Sequence, residues 1–394
     1  MTQERMGRRG RGARERLLAI ACAVAALVAA AAACGDGSDV AVPVDDRPTL
    51  RWFVGLGTGA SEEQRAVQQS LVDRYNERQD RVRVEVEVWI NPSSRQQLDA
   101  YIAADDLPDV LGPMGVTSTV RYRDILSPLD PDAGLVDLAD FGLGSLDSLQ
   151  LADGRLLGVP IGVFPSVMAI NTAMFDAAGL PYPPQEYGAD YRGAPWTWDA
   201  LRSIARELTL DVNQVPATDD AFDPGTTVQW GFSQGGLTDP STVANLHRGA
   251  GLYDESGEFG LPEAWRDAIR WDHEMVVDDH SAPSSEEVET DLIDTGGYKT
   301  GSVAMGYVMG WEFPGIADAP VGATTRLAVI PTTPGLGHPV SVDADSFHVT
   351  TGSDHPDEAW RFVDYLLTTS GAELVDLYSA MPARTSLREA YFDA

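Results

Sequence analysis

The chain of 394 residues carries 60 acidic against 28 basic side chains, a formal net charge of −32 at pH 7. So acidic a surface excludes nucleic acid as a primary partner, because phosphate backbones demand clustered Lys and Arg, and it disfavours anionic ligands. The length suffices for two domains with sizeable cores, and two cysteines and six scattered histidines supply no metal-ligand spacing.

The chain opens with six arginines by residue 16, then a run of small apolar residues from Leu17 to Ala33, then Cys34-Gly35. A charged n-region, an apolar h-region and small residues before a cut point make an export signal over residues 1–33. Ala31-Ala32-Ala33-Cys34 resembles the lipobox of bacterial lipoproteins, although Ala31 stands where that family prefers Leu. The resemblance implies that Cys34 is lipidated and anchors the chain outside the cytoplasm. The alternative is a retained transmembrane anchor, for which 17 residues is the lower limit. Residues 1–33 carry six Arg and two Glu, so removing them takes the charge to −36. With Cys34 lipidated, no free thiol remains. Residues 34–48 are polar and rich in Asp, Gly and Pro, which reads as a solvated tether.

Residues 49–54 (TLRWFV) predict a strand running into Gly55-Leu56-Gly57-Thr58-Gly59, and Ser61 with Gln64 has the spacing of a capping box. Val67, Leu71, Val72 and Tyr75 follow at helical period. Residues 82–90 alternate strictly as a half-buried strand, a second helix covers about 94–104, and 107–111 form a third strand ending in Gly112-Pro113-Met114-Gly115. The order β-loop-α-β-α-β predicts a parallel α/β sheet with right-handed crossovers. The pattern restarts after residue 155: strand 157–163, a helix stopping at Gly179, helix 200–208 after Trp196-Thr197-Trp198-Asp199, helix 265–277, strands 303–308 and 326–331, and helix 357–369.

Taken together, seven segments in order resemble the extracellular solute-binding proteins of ABC importers, in the sugar-binding cluster that includes maltose-binding protein. They are the glycine loop after the first strand, Leu107-Pro108-Asp109-Val110, Gly158-Val159-Pro160 leading to Asn171 and Phe175–Leu180, Trp196-Thr197-Trp198-Asp199, Gly301-Ser302-Val303-Ala304-Met305 with Trp311, Ser353–Trp360, and Met381-Pro382-Ala383-Arg384. The resemblance implies a two-lobed, periplasmic-binding-protein-like α/β fold with discontinuous lobes and an interlobe cleft, crossed near 158–162 and 343–349. The expected division is 49–160 and 326–345 in the first lobe, 161–325 and 346–394 in the second. It also implies a monomer that captures a sugar or oligosaccharide and hands it to ABC permease subunits, with no cofactor, no metal and no catalysis. A polyamine or a glycerol phosphate is the alternative ligand on the same fold. An exported carbohydrate-active enzyme is the alternative of another class.

Sugars present C–H faces that stack on aromatic rings and hydroxyl edges that need carboxylates, amides or Arg. In the cleft that the resemblance implies, the candidate ligand-binding residues are Gly57 and Thr58 in the first loop, the aromatics Trp89, Phe164, Trp230 and Trp311, the acids Glu312, Asp343 and Asp345, and Arg384, for which a structural pairing with a carboxylate is the alternative. The first loop also fits G-x-G-x-x-A, a dinucleotide fingerprint. The second strand ends in Trp89-Ile90-Asn91, without the acid that would take a ribose hydroxyl, so its glycines read instead as room for a ligand beside backbone N–H groups. Trp196, Trp198, Trp265, Trp271 and Trp360 occupy helix-start or helical-period positions and read as core.

Overall fold

Alternation along the first strand sets two hydrophobic layers, and the rest of the chain is arranged around them. The computed structural model describes residues 45–90, 93–142, 145–234, 258–288, 298–333 and 340–393. Cys34, the export signal and most of the tether lie outside these residues, as do His247 and His338. Arg47–Ala394 form one compact unit.

Strand β1 (Thr49–Val54) is followed by α1 (Glu62–Arg78), β2 (Arg83–Val88), α2 (Ser93–Ala104), β3 (Val110–Met114) and α3 (Val116–Tyr122). β1 pairs in parallel with both β2 and β3, as the βαβ order predicts. Leu50, Trp52 and Val54 point to one face of this sheet and join the largest core, while Phe53 points to the other and packs with Leu98, Leu111 and Met114. Helices therefore cover both faces, the condition for a parallel sheet in water. The predicted capping box at Ser61 is formed: Ser61 Oγ accepts from Gln64 N at 3.2 Å, and Gln64 Oε1 accepts from Ser61 N at 3.0 Å. The third strand begins three residues later than the sequence predicts, because Asp109 is occupied elsewhere; its carboxylate accepts from Arg51 N at 2.8 Å and Ser353 Oγ at 2.5 Å.

The next strand, β4 (Val159–Asn171), is 13 residues long where the sequence predicts about seven. Its first half pairs with β8 (Val342–Thr350) and its second half with β6 (Val303–Met309) and β7 (Thr325–Ala328). The strand continues because it changes partners midway, and no alternation within it marks that change. Between these lie α4 (Thr172–Ala178), α5 (Trp198–Leu208), β5 (Thr227–Ser233) and α6 (Glu263–His273). The sheet runs β2-β1-β3-β8-β4-β6-β5. The parallel pairs β2-β1-β3 on one side and β6-β5 on the other are joined through the antiparallel strands β8 and β4, and beyond β5 the short segment Leu210–Asp211 pairs antiparallel.

A second core gathers Met168, Ile170, Phe175, Trp196, Trp198, Leu201, Phe232, Trp271, Met305 and Ile330. The Trp196 indole donates to Val329 O at 2.9 Å and the Trp198 indole to Thr333 Oγ1 at 3.2 Å, so both rings tie their loop to this core. The C-terminal helices α7 (Pro356–Leu367) and α8 (Gly371–Tyr378) pack into the first core instead, with Trp360, Phe362, Val363 and Leu374 beside Leu50 and Trp52. Phe362 meets Trp52 edge-on at 5.5 Å. Residues 359–378 thus pack in the first core, and 325–330 with the second, where β7 pairs with β4 and Ile330 is fully buried. The reason is packing: the apolar stripe of α7 matches the face of β1 that bears Trp52, a contact of long sequence separation that local pattern does not encode.

His348 of β8 is fully buried at the join. Its Nδ1 donates to Leu157 O at 2.9 Å, and its Nε2 accepts from Ser346 Oγ at 3.0 Å and Thr119 Oγ1 at 3.3 Å. Burial pushes its pKa down to about 4 against the bond to the Leu157 carbonyl, so the folded protein holds it neutral. The unfolded chain takes up this proton near pH 6.5, so the contribution is intact above that pH and is lost as pH falls towards 4. The loss amounts to about 3 kcal/mol. Urea unfolding of wild type and His348→Gln between pH 7 and 4 checks this: the slope over that window is expected to flatten in the variant.

Candidate functional site

The first loop leaves β1 at Gly55, whose φ of +133° is one that L side chains rarely adopt. A Cβ there would lie 2.1 Å from the Trp89 carbonyl oxygen. Trp89 is half-buried, and its N–H donates to Val54 O at 2.9 Å, so it braces the loop from behind. At Gly57 the constraint is a close approach: a Cβ would sit 2.9 Å from both carboxylate oxygens of Asp345. Asp345 Oδ2 accepts from Thr58 N at 3.0 Å and from Thr58 Oγ1 at 2.8 Å.

Two residues back along β8, Asp343 Oδ1 accepts from Val116 N at 3.0 Å and Ala344 N at 2.8 Å. Residues i and i+2 share one face of a strand, and Gly115 lies against both carboxylates, where a Cβ would be 3.5 Å from Asp345 Oδ1 and 3.6 Å from Asp343 Oδ2. Asp345 is 5% exposed. Burial raises its pKa above the usual carboxylate range and the charge of Asp343 adds to this, while the bonds from Thr58 oppose it. Gly57, Thr58, Asp343 and Asp345 are thus brought together, at the ends of β1 and β3 and the start of β8.

Asp343 is opposite Phe164 in the β8–β4 register. Phe164 is 2% exposed and meets Trp311 edge-on at 5.6 Å. Trp311 follows β6, whose last residue, Met309, pairs with Ser166, and it is 41% exposed. Its ring therefore stands at the partner change of β4, with a buried ring at its edge. Glu312, next to it, turns back so that its carboxylate accepts from Met309 N at 2.8 Å. Burial raises its pKa, opposed by that bond and by Lys299. An apolar cavity of about 750 Å³ lies between Gly310, Phe313 and Pro314 on one side and Val375, Ser379 and Tyr391 on the other.

Two expected residues have their side chains engaged elsewhere. Trp230 is 3% exposed and packs on Val303, at the opposite end of the β6 ladder from Met309. Arg384 pairs with Asp140 at 3.0 Å and lies over the Phe141 ring at 5.9 Å. Hydrogen bonds from Ser386, with Arg384 beside them, hold the Asp140 carboxyl below its usual range.

Sequence reasoning missed the supports beneath the first loop. Gln68 is fully buried, and its amide donates to Gly59 O and to Tyr378 Oη, both at 3.0 Å. A signal was present: Gln68 shares the helical face of Leu71, Val72 and Tyr75, and a polar residue on a buried face needs a partner. Gly115 and Val116 carried no such mark. Among the described residues no group of three or more His, Cys, Asp or Glu is arranged to hold a metal ion, and no helix is long and apolar enough to cross a membrane.

Residues 59–373 match the family described as bacterial extracellular solute-binding protein. Among solved structures the chain is similar to the ABC substrate-binding protein Lmo0181 of Listeria monocytogenes in complex with cycloalternan, at 20% identity and a TM-score of 0.67, covering 89% of this chain and 84% of that one. It is similar to the GacH receptor of Streptomyces glaucescens, solved unliganded and with acarbose, at 19% identity and a TM-score of 0.63, covering 87% and 82%. Maltose-bound MalE3 of T. maritima gives 17% identity and a TM-score of 0.61, covering 86% and 82%. None of the curated proteins compared matches the chain. At these identities the likeness is one of fold: the two-lobed α/β architecture of periplasmic binding proteins.

Gly55→Ala tests the geometry of the first loop. The combination of positive φ and a backbone clash is expected to lower the unfolding free energy by about 2 kcal/mol or more, measured by urea titration at pH 7.

Proposed function

Because the chain belongs to the bacterial extracellular solute-binding protein family, we propose that it captures a sugar or oligosaccharide between its two cores and delivers it, chemically unchanged, to the membrane subunits of an ABC importer. In this reading Cys34 carries the lipid that keeps the protein at the outer face of the cell membrane. The ligand lies against Trp311 on one side and against Gly57, Thr58, Asp343 and Asp345 on the other. Trp89, Phe164 and Glu312 serve as the frame behind those groups, Trp230 as core, and Arg384 as a structural clamp on Asp140.

The observation that carries the reading is Trp311. A large aromatic ring is left 41% exposed and is buttressed edge-on by the buried Phe164, which stands opposite Asp343 in the strand register. Ring faces take up the C–H faces of sugars, and nearby oxygens take up their hydroxyls. The relatives solved with cycloalternan, acarbose and maltose support a sugar over other solutes. Closing the two lobes over one ligand makes a shape that a permease can distinguish from the open form. The paired acids favour a polyamine as the second reading, since two carboxylates on one strand face would suit an extended cation.

Thermal unfolding with a panel of gluco- and manno-oligosaccharides, spermidine and glycerol phosphate decides between them. A ligand at 100 times its Kd adds about 2.7 kcal/mol to the native state, a shift of a few degrees. A shift with one sugar class, and that sugar recovered intact, is the expected result. A shift with spermidine alone overturns the sugar reading, and an altered sugar overturns the binding-only reading. Trp311→Ala is expected to weaken the active sugar at least about tenfold in calorimetry, with little change in the melting point of the free protein, because its ring is half out of the fold.

A further inference from the structure

Asp343 and Asp345 have a role that direct ligand contact does not describe. Each spends at least one carboxylate oxygen on a loop of the first lobe: Asp345 Oδ2 on the N–H and hydroxyl of Thr58, Asp343 Oδ1 on the N–H of Val116. The two loops leave the ends of β1 and β3, neighbouring parallel strands. At Gly57 the missing Cβ leaves the space that the Asp345 carboxylate occupies, and Gly115 lies in van der Waals contact with both acids. Gly115 is also the N-cap of α3 and has no side chain to bond the free N–H groups of that helix, so Asp343 caps it from another strand. β8 itself pairs with β3 on one side and with β4 on the other, and β4 carries the chain into the second core.

We propose that Asp343 and Asp345 are positioning residues, two pins on the strand beside the crossing that hold both loops of the first wall so that these loops move as one body with β8. The proposal rests on the reading that a solute occupies this cleft. Its consequence is that the loops meet the ligand already ordered, with little ordering entropy left to oppose binding. The groups facing Asp345 are Asp343 on its own strand, Gly57 and Thr58 from the first loop, Gly115 from the second, and Tyr378 from α8, with Gln68 bonded to Tyr378 behind. Tyr378 is held protonated by burial, with the charge of Asp345 acting the same way and the Gln68 amide opposing.

The test uses the ligand-free protein, so it stands or falls independently of which solute binds. In 15N-labelled wild type, the Thr58 amide proton resonance is expected to titrate with the Asp345 carboxyl. In Asp345→Asn, which keeps an acceptor oxygen, Thr58 should lose its titration while the Val116 amide, bonded to Asp343, stays protected from exchange. In Asp345→Ala, amide exchange across 57–60 should rise at least about tenfold with residues 49–54 unchanged. Thr58→Val, which removes only the hydroxyl donor, should give a smaller rise; if the alanine variant fails to fold, the asparagine and valine variants carry the test. A Thr58 resonance that titrates identically in wild type and Asp345→Asn overturns the proposal. So does loop exchange unmoved by all three variants.

Discussion

One strand, β4, is hydrogen-bonded into the sheets of both cores, and everything at the candidate site is placed by that fact. Its first half lies against β8 and its second against β6 and β7. The residues at the change of partner are Phe164, Pro165 and Ser166. Their neighbours across the ladders are Asp343 and Val342 on one side and Met309 on the other. A strand shared in this way fixes the lateral position of the two cores. Beside it, the pairing of β8 with β3 and of β3 with β1 brings together groups that lie far apart in the chain, such as Thr58 and Asp345.

The same junction concentrates polar groups where water is scarce. Asp345, His348, Gln68 and Ser346 are all buried within it. Burying a carboxylate is costly unless hydrogen bonds replace its hydration, and Asp345 receives two from one threonine. His348 is handled differently: it is kept neutral, with both ring nitrogens bonded. Apolar residues of equal volume would pack here with less penalty, so the retained polarity points to positioning and not to stability alone. The orientation of the first loop then follows from oxygen and nitrogen positions and not from loop length.

The repeated use of glycine at the site has the same origin. Gly57 makes room for the Asp345 carboxylate, and Gly55 makes room for a carbonyl. Trp311, by contrast, owes its position to the end of β6 and its exposure to the partner change beside it. Its buried counterpart Trp230, on the neighbouring strand, is fixed at the other end of the same ladder. Two tryptophans that look alike in sequence are separated by strand register alone.

Much of this protein was determined by local physics. The alternation of Leu50, Trp52 and Val54, the capping box at Ser61, the helical period of α7 and the glycine that ends α4 all act within a few residues, and they specify their elements without outside help. The order of those elements carried the fold class, and the glycine loop was legible as a place of close approach, while Asp343 and Asp345 were candidates only through the crossing that the family resemblance implies. What the sequence could not contain was which distant surfaces meet. Residues 359–378 join the first core because the stripe of α7 fits the face of Trp52, and no short-range pattern records that fit. Arg384 is drawn to Asp140 and Glu312 to its own backbone because, among 60 acidic side chains, distance alone chooses the partners. Tertiary structure decided these cases, since packing and electrostatic pairing depend on separations in space that the order of residues along the chain does not fix.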